Sequence, residues 1–285
     1  MDAPLSFGHS PWPDCTVELI SNTDACPEYP SAHGSGFFVQ RDHRVFLVTA
    51  GHCLVPNAAS LKDFLAEASE VAARLMVPIE RSTEGRQRGI EDYVSFSSVS
   101  CPIVNNSNGD FFGCTNEGSL DIAALEVNPD CTQLVDRIRK RSVVLPPTGE
   151  WFSRSMDIAS KMSQSVPLIA SGFPKQGTDS FIDYEARLAV SQGIHLDGVY
   201  VGTGPWPHTH TMRIRQGQVR IEPDGMSGGP IYMKASNEDS PPYFLVGIAL
   251  RGGHGSDLIH FCAVDWLTNA IDGTSSELTH SSPQA

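Results

Sequence analysis

Short apolar runs separated by polar turns dominate the hydrophobic pattern of this chain. Residues 37–39 and 45–48 are two such runs on either side of a polar turn, which predicts a β-hairpin. Further strands are predicted at residues 121–127, 166–170, 187–191, 199–201, 211–215 and 243–250. Because these strands follow one another without regularly alternating helices, the pattern favours antiparallel barrels or sandwiches over an α/β sheet.

Two segments have helical spacing instead. Apolar residues between positions 58 and 76 recur every three or four residues, and Ser60 with Asp63 three positions later forms a capping signal. We interpret this segment as an amphipathic helix docked on the body of the protein, with a partner-binding helix as the alternative. Residues 264–271 show a second helical pattern and are predicted to close the fold.

These elements divide the chain into five segments. The proline-rich N-terminal arm is expected to be irregular, and the Ser- and Thr-rich tail is expected to be disordered. The basic run at residues 137–141 is interpreted as a solvated stretch between two halves, with a phosphate or partner site as the alternative. The predicted boundaries are 1–30 for the arm, 31–135 for the first β-barrel with its helical insertion, 136–159 for the linker, 160–272 for the second β-barrel with its closing helix and 273–285 for the tail.

Charge and composition exclude several classes of protein. Hydrophobic residues make up 40% of the 285 residues and charged residues 19%, as in globular proteins. The formal net charge of −13 opposes binding to nucleic acid or anionic membranes. No apolar run approaches the roughly 18 residues that a membrane span needs, and the first residues show no leader sequence. We therefore expect a cytoplasmic protein whose partners include neither nucleic acid nor a membrane.

The cysteines and histidines give no metal-site signature. None of the seven cysteines has Cys-x-x-Cys spacing, and we favour free buried thiols in a reducing cytosol, with a disulfide between Cys101 and Cys114 left open. His208 and His210 lack a third ligand at a recognisable spacing, so a strand or loop role is favoured over a metal site. We predict no metal and no cofactor.

Three polar residues suggest nucleophilic catalysis. Ser227 lies among glycines, which leave room for a substrate carbonyl and for backbone N–H groups around a nucleophile. His52 follows an apolar strand, where a scaffold can hold an imidazole as general base. Asp121 heads another apolar strand, where a buried carboxylate needs a hydrogen-bonding or positive partner. Taken alone, the serine also fits a glycine-rich turn, and the histidine also fits a structural role.

In this chain order, His52, Asp121 and Ser227 resemble the chymotrypsin-like serine protease superfamily, most of all its intracellular and bacterial trypsin-like members. The similar stretches, about 50 of the 285 residues, are 33–54, 119–127, 225–232 and 243–253. The resemblance implies a mostly β fold of two six-stranded antiparallel β-barrels with an inserted helix and a C-terminal helix. It implies Ser227 as nucleophile, His52 as general base and Asp121 as the group that orients the imidazole. It also implies an oxyanion hole formed by the backbone N–H groups of Gly225 and Ser227.

Two departures from the superfamily's pattern bear on regulation. Met226 stands where digestive members have an Asp that pairs with a newly cut N-terminus, so activation by such a cleavage is not expected. The cysteine that would pair with Cys53 is missing near His33, so Cys53 is expected to be a free thiol.

The same resemblance assigns the primary specificity pocket, which is expected to be lined by Glu222, Asp224, Leu250, Arg251 and Gly252. The two acids would favour a basic substrate side chain. The arginine would favour an acidic side chain or neutralise the two acids. The alternative is that all three charges face water.

The sequence therefore predicts a serine endopeptidase that forms an acyl-enzyme with a protein or peptide substrate. We expect limited processing of an intracellular protein, switched on by a regulatory partner or ligand in a stress or defence system. The alternative is a catalytically silent binding or scaffold protein that keeps the protease fold. An α/β-hydrolase esterase, which Gly-x-Ser-x-Gly also suggests, is rejected because only residues 228–285 follow Ser227 and strand–helix alternation is missing.

Overall fold

The computed structural model describes residues 15–23, 26–56, 58, 60–78, 93–106, 109–112, 121–130, 132–145, 151–162, 165–174, 181–183, 188–190, 192–206, 208–215, 217, 223–234, 243–252, 255–271 and 274–277. Its strands are β1 (Thr16–Thr23), β2 (Cys26–Arg41), β3 (Arg44–Ala50), β4 (Phe96–Cys101), β5 (Ile103–Asn106), β6 (Gly109–Phe112), β7 (Ile122–Val127), β8 (Val143–Val144), β9 (Pro167–Gly172), β10 (Phe181–Asp183), β11 (Leu188–Val190), β12 (Ile194–Thr203), β13 (Thr209–Ile214), β14 (Pro230–Lys234), β15 (Tyr243–Gly252), β16 (Leu258–Ala263) and β17 (Thr274–Glu277). Its helices are α1 (Leu61–Ala72), α2 (Thr132–Arg139), α3 (Trp151–Met162) and α4 (Asp265–Ile271).

The first sheet combines strands from the N-terminal half of the chain with one C-terminal strand. Its strands run in the order β1-β2-β3-β7-β4-β17, and β8 pairs in parallel with β2. The predicted hairpin is confirmed as β2 and β3, with Phe38 opposite Leu47. Both of these side chains are fully buried, so the hairpin contributes directly to the core.

Six strands of the C-terminal half close into a barrel in the order β12-β13-β16-β15-β14-β9. Every pair in this barrel is antiparallel. Tyr232 and Phe261 are among its fully buried side chains. The closed antiparallel barrel and the second sheet confirm the predicted mostly β fold class.

Helix α1 confirms the helix predicted between residues 58 and 76. The Ser60 hydroxyl accepts the backbone N–H of Asp63 at 3.1 Å, so the predicted N-terminal cap is formed. Phe64 and Ala68 are fully buried, so the apolar face docks on the body of the protein. The predicted closing helix is confirmed as α4. No helix in the described ranges is long and apolar enough to span a membrane.

Two further helices, α2 and α3, were not predicted. Helix α3 begins where the Asp265 carboxylate accepts the backbone N–H groups of Trp151 and Phe152 at 2.8 and 3.3 Å. These amides have no partner inside the helix, and the residue that satisfies them is 114 positions away in the chain. Helix α2 contains the start of the basic run, in which Ile138 is fully buried while Arg137 and Lys140 are exposed, so the run is a helix end with a solvated basic face.

The structure corrects the expectations for the arm and the tail. Residues 16–23 form the regular strand β1, because pairing with β2 buries Val17 and Leu19 against the first sheet. Residues 274–277 form β17, with Thr274 opposite Cys101 in β4. The backbone groups along this side of β4 need partners, and that requirement overrides the polar composition of the tail.

The described cysteines of the core are free thiols: Cys15, Cys53, Cys101 and Cys262. Because Cys101 is free, the disulfide with Cys114 that the sequence left open is not formed, and Cys114 itself lies outside the described residues. Burial raises the pKa of the Cys15 thiol to about 11 and that of the Cys101 thiol to about 12. Both are therefore protonated, structural thiols.

Candidate active site

Strand register brings His52 and Asp121 together. Strand β3 pairs antiparallel with β7, with Ala50 opposite Ile122. His52 follows the end of β3 in a short 3₁₀ turn, and Asp121 immediately precedes β7. In an antiparallel pair, the end of one strand lies beside the beginning of the other, so both residues reach the same end of the sheet.

Asp121 holds both the backbone and the ring of His52. Its Oδ1 atom accepts the backbone N–H of His52 at 2.8 Å, and its Oδ2 atom is hydrogen-bonded to the ring Nδ1. Asp121 is 1% exposed, and these bonds satisfy a carboxylate that would otherwise be costly to bury. Because Nδ1 is engaged, Nε2 is the ring nitrogen that remains for proton transfer.

Two opposing effects determine the charge of His52. Burial of the ring disfavours its protonated form and lowers its pKa. The hydrogen bond to the Asp121 carboxylate, with a contribution from the Cys53 side chain, outweighs burial, so the pKa of His52 is raised above its ordinary value. Asp121 thus stabilises the protonated imidazole that a general base becomes after it accepts a proton.

Ser227 lies in a tight turn that immediately precedes β14. The backbone N–H of Gly229 donates to the carbonyl oxygen of Met226 at 2.9 Å and closes this turn. Gly228 has a φ of 86°, and a Cβ atom at this position would collide with the carbonyl oxygen of Ser35. Only glycine fits both the conformation and the space, which explains the residue after the serine.

The hydroxyl of Ser227 is turned towards β15. It donates a hydrogen bond of 2.7 Å to the backbone carbonyl oxygen of Leu250. In the part of the chain that the structure describes, no hydrogen bond joins this hydroxyl to His52. The Ser227 backbone nevertheless lies beside the residue after His52, because Cys53 Sγ is 3.5 Å from the Ser227 carbonyl oxygen. The sequence-predicted triad therefore converges on one place, with a hydrogen bond between two of its members.

Ser35 in β2 anchors the turn that contains Ser227. Its backbone N–H donates to the carbonyl oxygen of Ser227, and its hydroxyl donates to that of Gly225, each at 2.8 Å. The same hydroxyl accepts the backbone N–H of Phe173 at 2.8 Å. Ser35 is fully buried, and sequence reasoning missed it. The available signal was a small polar residue between two glycines, immediately before the apolar run at residues 37–39.

The turn also leaves two backbone donors unused. Within the described residues, the N–H groups of Gly225 and Ser227, which were assigned to the oxyanion hole, have no acceptor. The backbone N–H groups of Met226 and Gly228 do donate to other backbone groups of the protein. That of Gly228 donates to the carbonyl oxygen of Ala249 at 2.7 Å. Unpaired backbone donors next to a serine are the groups that can bind a developing oxyanion.

The predicted specificity residues lie in different surroundings. Glu222 lies outside the described residues, and Asp224 is exposed in the turn. The Leu250 side chain is fully buried, and the Leu250 group that contacts the turn is its backbone carbonyl oxygen. Gly252 lies against Pro223, whose ring a Cβ atom at position 252 would strike. The turn and the end of β15 therefore pack closely at this point.

Arg251 extends from the same strand towards a residue that the sequence did not indicate. Its guanidinium lies over the ring of Trp206, 5.9 Å from the ring centroid. Trp206 lies between β12 and β13, and no local pattern relates it to β15.

The two histidines considered as metal ligands have other contacts. The ring of His208 packs on Trp266 at a centroid distance of 4.7 Å, and the ring of His210 is hydrogen-bonded to the Tyr200 hydroxyl at 3.0 Å. Burial, with a contribution from the charge of His208, lowers the pKa of His210 to about 4. In the described ranges, no group of three or more His, Cys, Asp or Glu side chains is placed to hold a metal ion.

Comparisons with known proteins find similarity among solved structures. A scan against protein-family models finds no match, and a search of curated proteins finds none either. Among solved structures, the chain is similar to the crystal structure of a thermostable serine protease, AL20, from an extremophilic microorganism. The identity is 11%, the similarity covers 92% of this chain and 95% of that chain, and the TM-score is 0.49. This similarity assigns neither a family nor a function, so we infer the function from the geometry of the site.

Proposed function

We propose that this protein is a serine endopeptidase that hydrolyses peptide bonds through an acyl-enzyme. The observation that carries the proposal is the hydrogen-bonded pair of His52 and Asp121 beside the turn that contains Ser227. The N–H groups of Gly225 and Ser227, which have no acceptor among the described residues, support it, because acyl transfer needs donors for the oxyanion.

In the proposed reaction, Ser227 Oγ forms a bond to the substrate carbonyl carbon while its proton passes to Nε2 of His52. Asp121 stabilises the imidazolium, and the N–H groups of Gly225 and Ser227 bind the oxyanion. The C–N bond then breaks, and His52 returns the proton to the leaving amine. Water repeats the sequence on the acyl ester, which releases the carboxylic acid and restores the serine.

The end of β15 supports a peptide as the substrate. Strand β14 pairs with β15 only as far as Pro230 opposite Ile248. Beyond that point, Arg251 and Gly252 pair with β16 on one side, and no described strand pairs with their other side. In the proposal, an extended peptide adds to that side next to the carbonyl that Ser227 contacts.

A catalytically silent binding or scaffold protein is the second candidate, and one observation favours it. The Ser227 hydroxyl is hydrogen-bonded to Leu250 and not to His52. In a latent peptidase, the same contact would belong to a resting state that a regulatory protein partner or ligand releases. The two candidates differ in whether Ser227 ever reacts.

A cytoplasmic location is part of the proposal. The buried free thiols support a reducing compartment, where disulfides are rare. For a peptidase with such a resting state, we propose a role in the limited processing of an intracellular protein, in a stress or defence system.

Active-site labelling tests the proposed function without knowledge of the substrate. Purified wild type, Ser227→Ala and the matched control Ser100→Ala would be treated with a fluorophosphonate probe, and mass spectrometry would locate the adduct. Ser100 is a buried serine whose hydroxyl donates to the carbonyl oxygen of Ala124 within the first sheet. We expect an adduct on Ser227 in wild type and in the control. No adduct in any condition, including with added cell lysate, would favour the scaffold.

A further inference from the structure

Arg251 is a partly buried cation on the strand that contacts Ser227. It follows Leu250, whose carbonyl oxygen accepts the Ser227 hydroxyl. Within the described residues, no ion pair joins Arg251 to an acidic side chain, whereas Arg213 in β13, two strands away in the barrel, lies 3.5 Å from Asp257. Among these residues, the donors of the Arg251 guanidinium therefore stay available to a ligand.

The Arg251 guanidinium lies over one of two aromatic rings that contact each other. The ring of Trp206 beneath the guanidinium meets the ring of His260 edge-on, with a centroid distance of 5.3 Å and an interplanar angle of 87°. His260 stands opposite Arg251 in the register of β15 and β16, and its Nδ1 atom is hydrogen-bonded to the Thr211 hydroxyl at 3.1 Å. Burial lowers the pKa of His260, so at neutral pH this ring is uncharged and Arg251 supplies the positive charge of the cluster.

The chemistry of this cluster matches a carboxylate. The Arg251 guanidinium is 5.9 Å from the Trp206 ring centroid, within the range of a cation–π contact, and such a contact does not use the N–H groups of the guanidinium. Two parallel N–H groups of an arginine match the two oxygens of a carboxylate.

We propose that Arg251, supported by Trp206, selects peptide substrates that carry a carboxylate side chain close to the scissile bond. The inference rests on the proposed function, because it names the substrate class of that same site. The sequence left open a preference for basic or for acidic substrate side chains. The acidic preference matches Arg251, the cation next to Leu250, whose carbonyl oxygen accepts the Ser227 hydroxyl.

A binding measurement tests the inference without any need for catalysis. The Ser227→Ala protein would be titrated into fluorescent positional-scanning peptide libraries in which Glu, Gln or Lys is placed at each position in turn. We expect the Glu libraries to bind about three- to tenfold more tightly than the Gln libraries at one or two adjacent positions, and the Lys libraries to bind most weakly. The preference should shrink as salt is raised, because the pair is partly exposed. Equal binding of the Glu and Gln libraries at every position would overturn the inference.

Variants then assign the preference to this side chain. In the Ser227→Ala background, Arg251→Gln should abolish the preference for Glu, and Arg251→Glu should reverse it in favour of Lys. Arg213→Ala is the matched control, because it removes the same charge from a nearby exposed arginine that already pairs with a carboxylate. A preference for Glu that survives Arg251→Gln, or that is lost equally in Arg213→Ala, would show that general charge and not Arg251 selects the substrate.

The inference and the proposed function fail in different ways. Labelling of Ser227 together with equal binding of the Glu and Gln libraries would retain the peptidase and overturn the acidic preference. A preference for Glu that depends on Arg251, without any labelling of Ser227, would retain the carboxylate site and overturn the peptidase.

Discussion

The hydroxyl of Ser227 and the carbonyl oxygen of Leu250 are 2.7 Å apart and joined by a hydrogen bond. A serine hydroxyl has one proton to donate, so donation to Leu250 and donation to His52 exclude each other. A neutral hydrogen bond of this kind contributes about 1 kcal/mol net, which corresponds to a roughly fivefold population difference. This hydrogen bond alone therefore slows the attack by Ser227 only slightly. A protein without any catalytic activity would need a further constraint on the Ser227 hydroxyl.

Removal of any one member of the proposed triad should eliminate most of the activity. We expect His52→Ala, Asp121→Ala and Ser227→Ala each to reduce the rate of peptide hydrolysis by about 10⁴-fold or more. Because the three residues act as a unit, the triple variant should be little slower than Ser227→Ala. Rates that fall by the product of the single effects would contradict a shared mechanism. Hydrolysis would be followed with the peptide pool that binds best.

The rate of Ser227 labelling should rise with pH, because His52 must be neutral to accept a proton. Its pKa is raised, so the midpoint should lie above the ordinary value of 6.5. Asp121→Asn removes the acceptor that stabilises the charged ring, so burial then dominates and the midpoint should fall. The folded protein binds this proton more tightly than the unfolded chain. The resulting stabilisation is therefore present below pH 6.5 and is lost as pH rises through the folded-state pKa. A midpoint unchanged in Asp121→Asn would contradict this role for Asp121.

Ser35→Ala should impair both the stability of the fold and the reactivity of Ser227. It removes the donor to the Gly225 carbonyl oxygen and leaves the Phe173 N–H without its acceptor, at a cost of about 1–3 kcal/mol in the free energy of unfolding. Ser100→Ala is the control, because it also deletes a buried hydroxyl but leaves the turn untouched. Denaturant titration would compare stabilities, and labelling would compare reactivities. Equal labelling rates in the two folded variants would show that Ser35 does not position the turn.

Gly228→Ala should prevent formation of the native turn. An added Cβ would strike the Ser35 carbonyl oxygen, and the φ of 86° is strained for alanine. Gly217→Ala provides the comparison, because Gly217 has a φ of 101° but no atom of the described residues lies within 4 Å of the added Cβ. We expect Gly217→Ala to lower stability by only about 1 kcal/mol and to keep labelling. Similar losses in the two variants would mean that backbone strain, and not close packing, accounts for the glycine.

The cap of α1 should affect stability and not chemistry. Ser60→Ala removes the side-chain acceptor for the Asp63 N–H and should lower the free energy of unfolding by about 1 kcal/mol. The rate of Ser227 labelling should stay at the wild-type value, since α1 supplies none of the proposed catalytic groups. Thermal denaturation and labelling on the same preparation would check both parts. Slower labelling in the folded variant would assign α1 a role in the site.

Several features of this protein are determined within short stretches of sequence. The hairpin of β2 and β3, the capped helix α1 and the glycines around Ser227 all follow from periodicity or turn chemistry over a few residues. His52 and Asp121 were related to Ser227 by the resemblance of their motifs to a known superfamily, whereas the pairing of β3 with β7 that brings His52 and Asp121 together joins segments about 70 positions apart. The fold class and the candidate residues were therefore predictable, and their contact was not.

Other features were decided only by tertiary structure. Ser35 and Gly225 are separated by 190 positions, and Ser227 and Leu250 by 23, so no local period links them. Helix α3 begins at a carboxylate supplied from α4, and β17 forms because the side of β4 needs backbone partners. The stacking of Arg251 on Trp206 likewise depends on how the barrel closes. Backbone and side-chain groups that are buried on folding must find partners wherever the packing places them, and the sequence alone does not specify where that is.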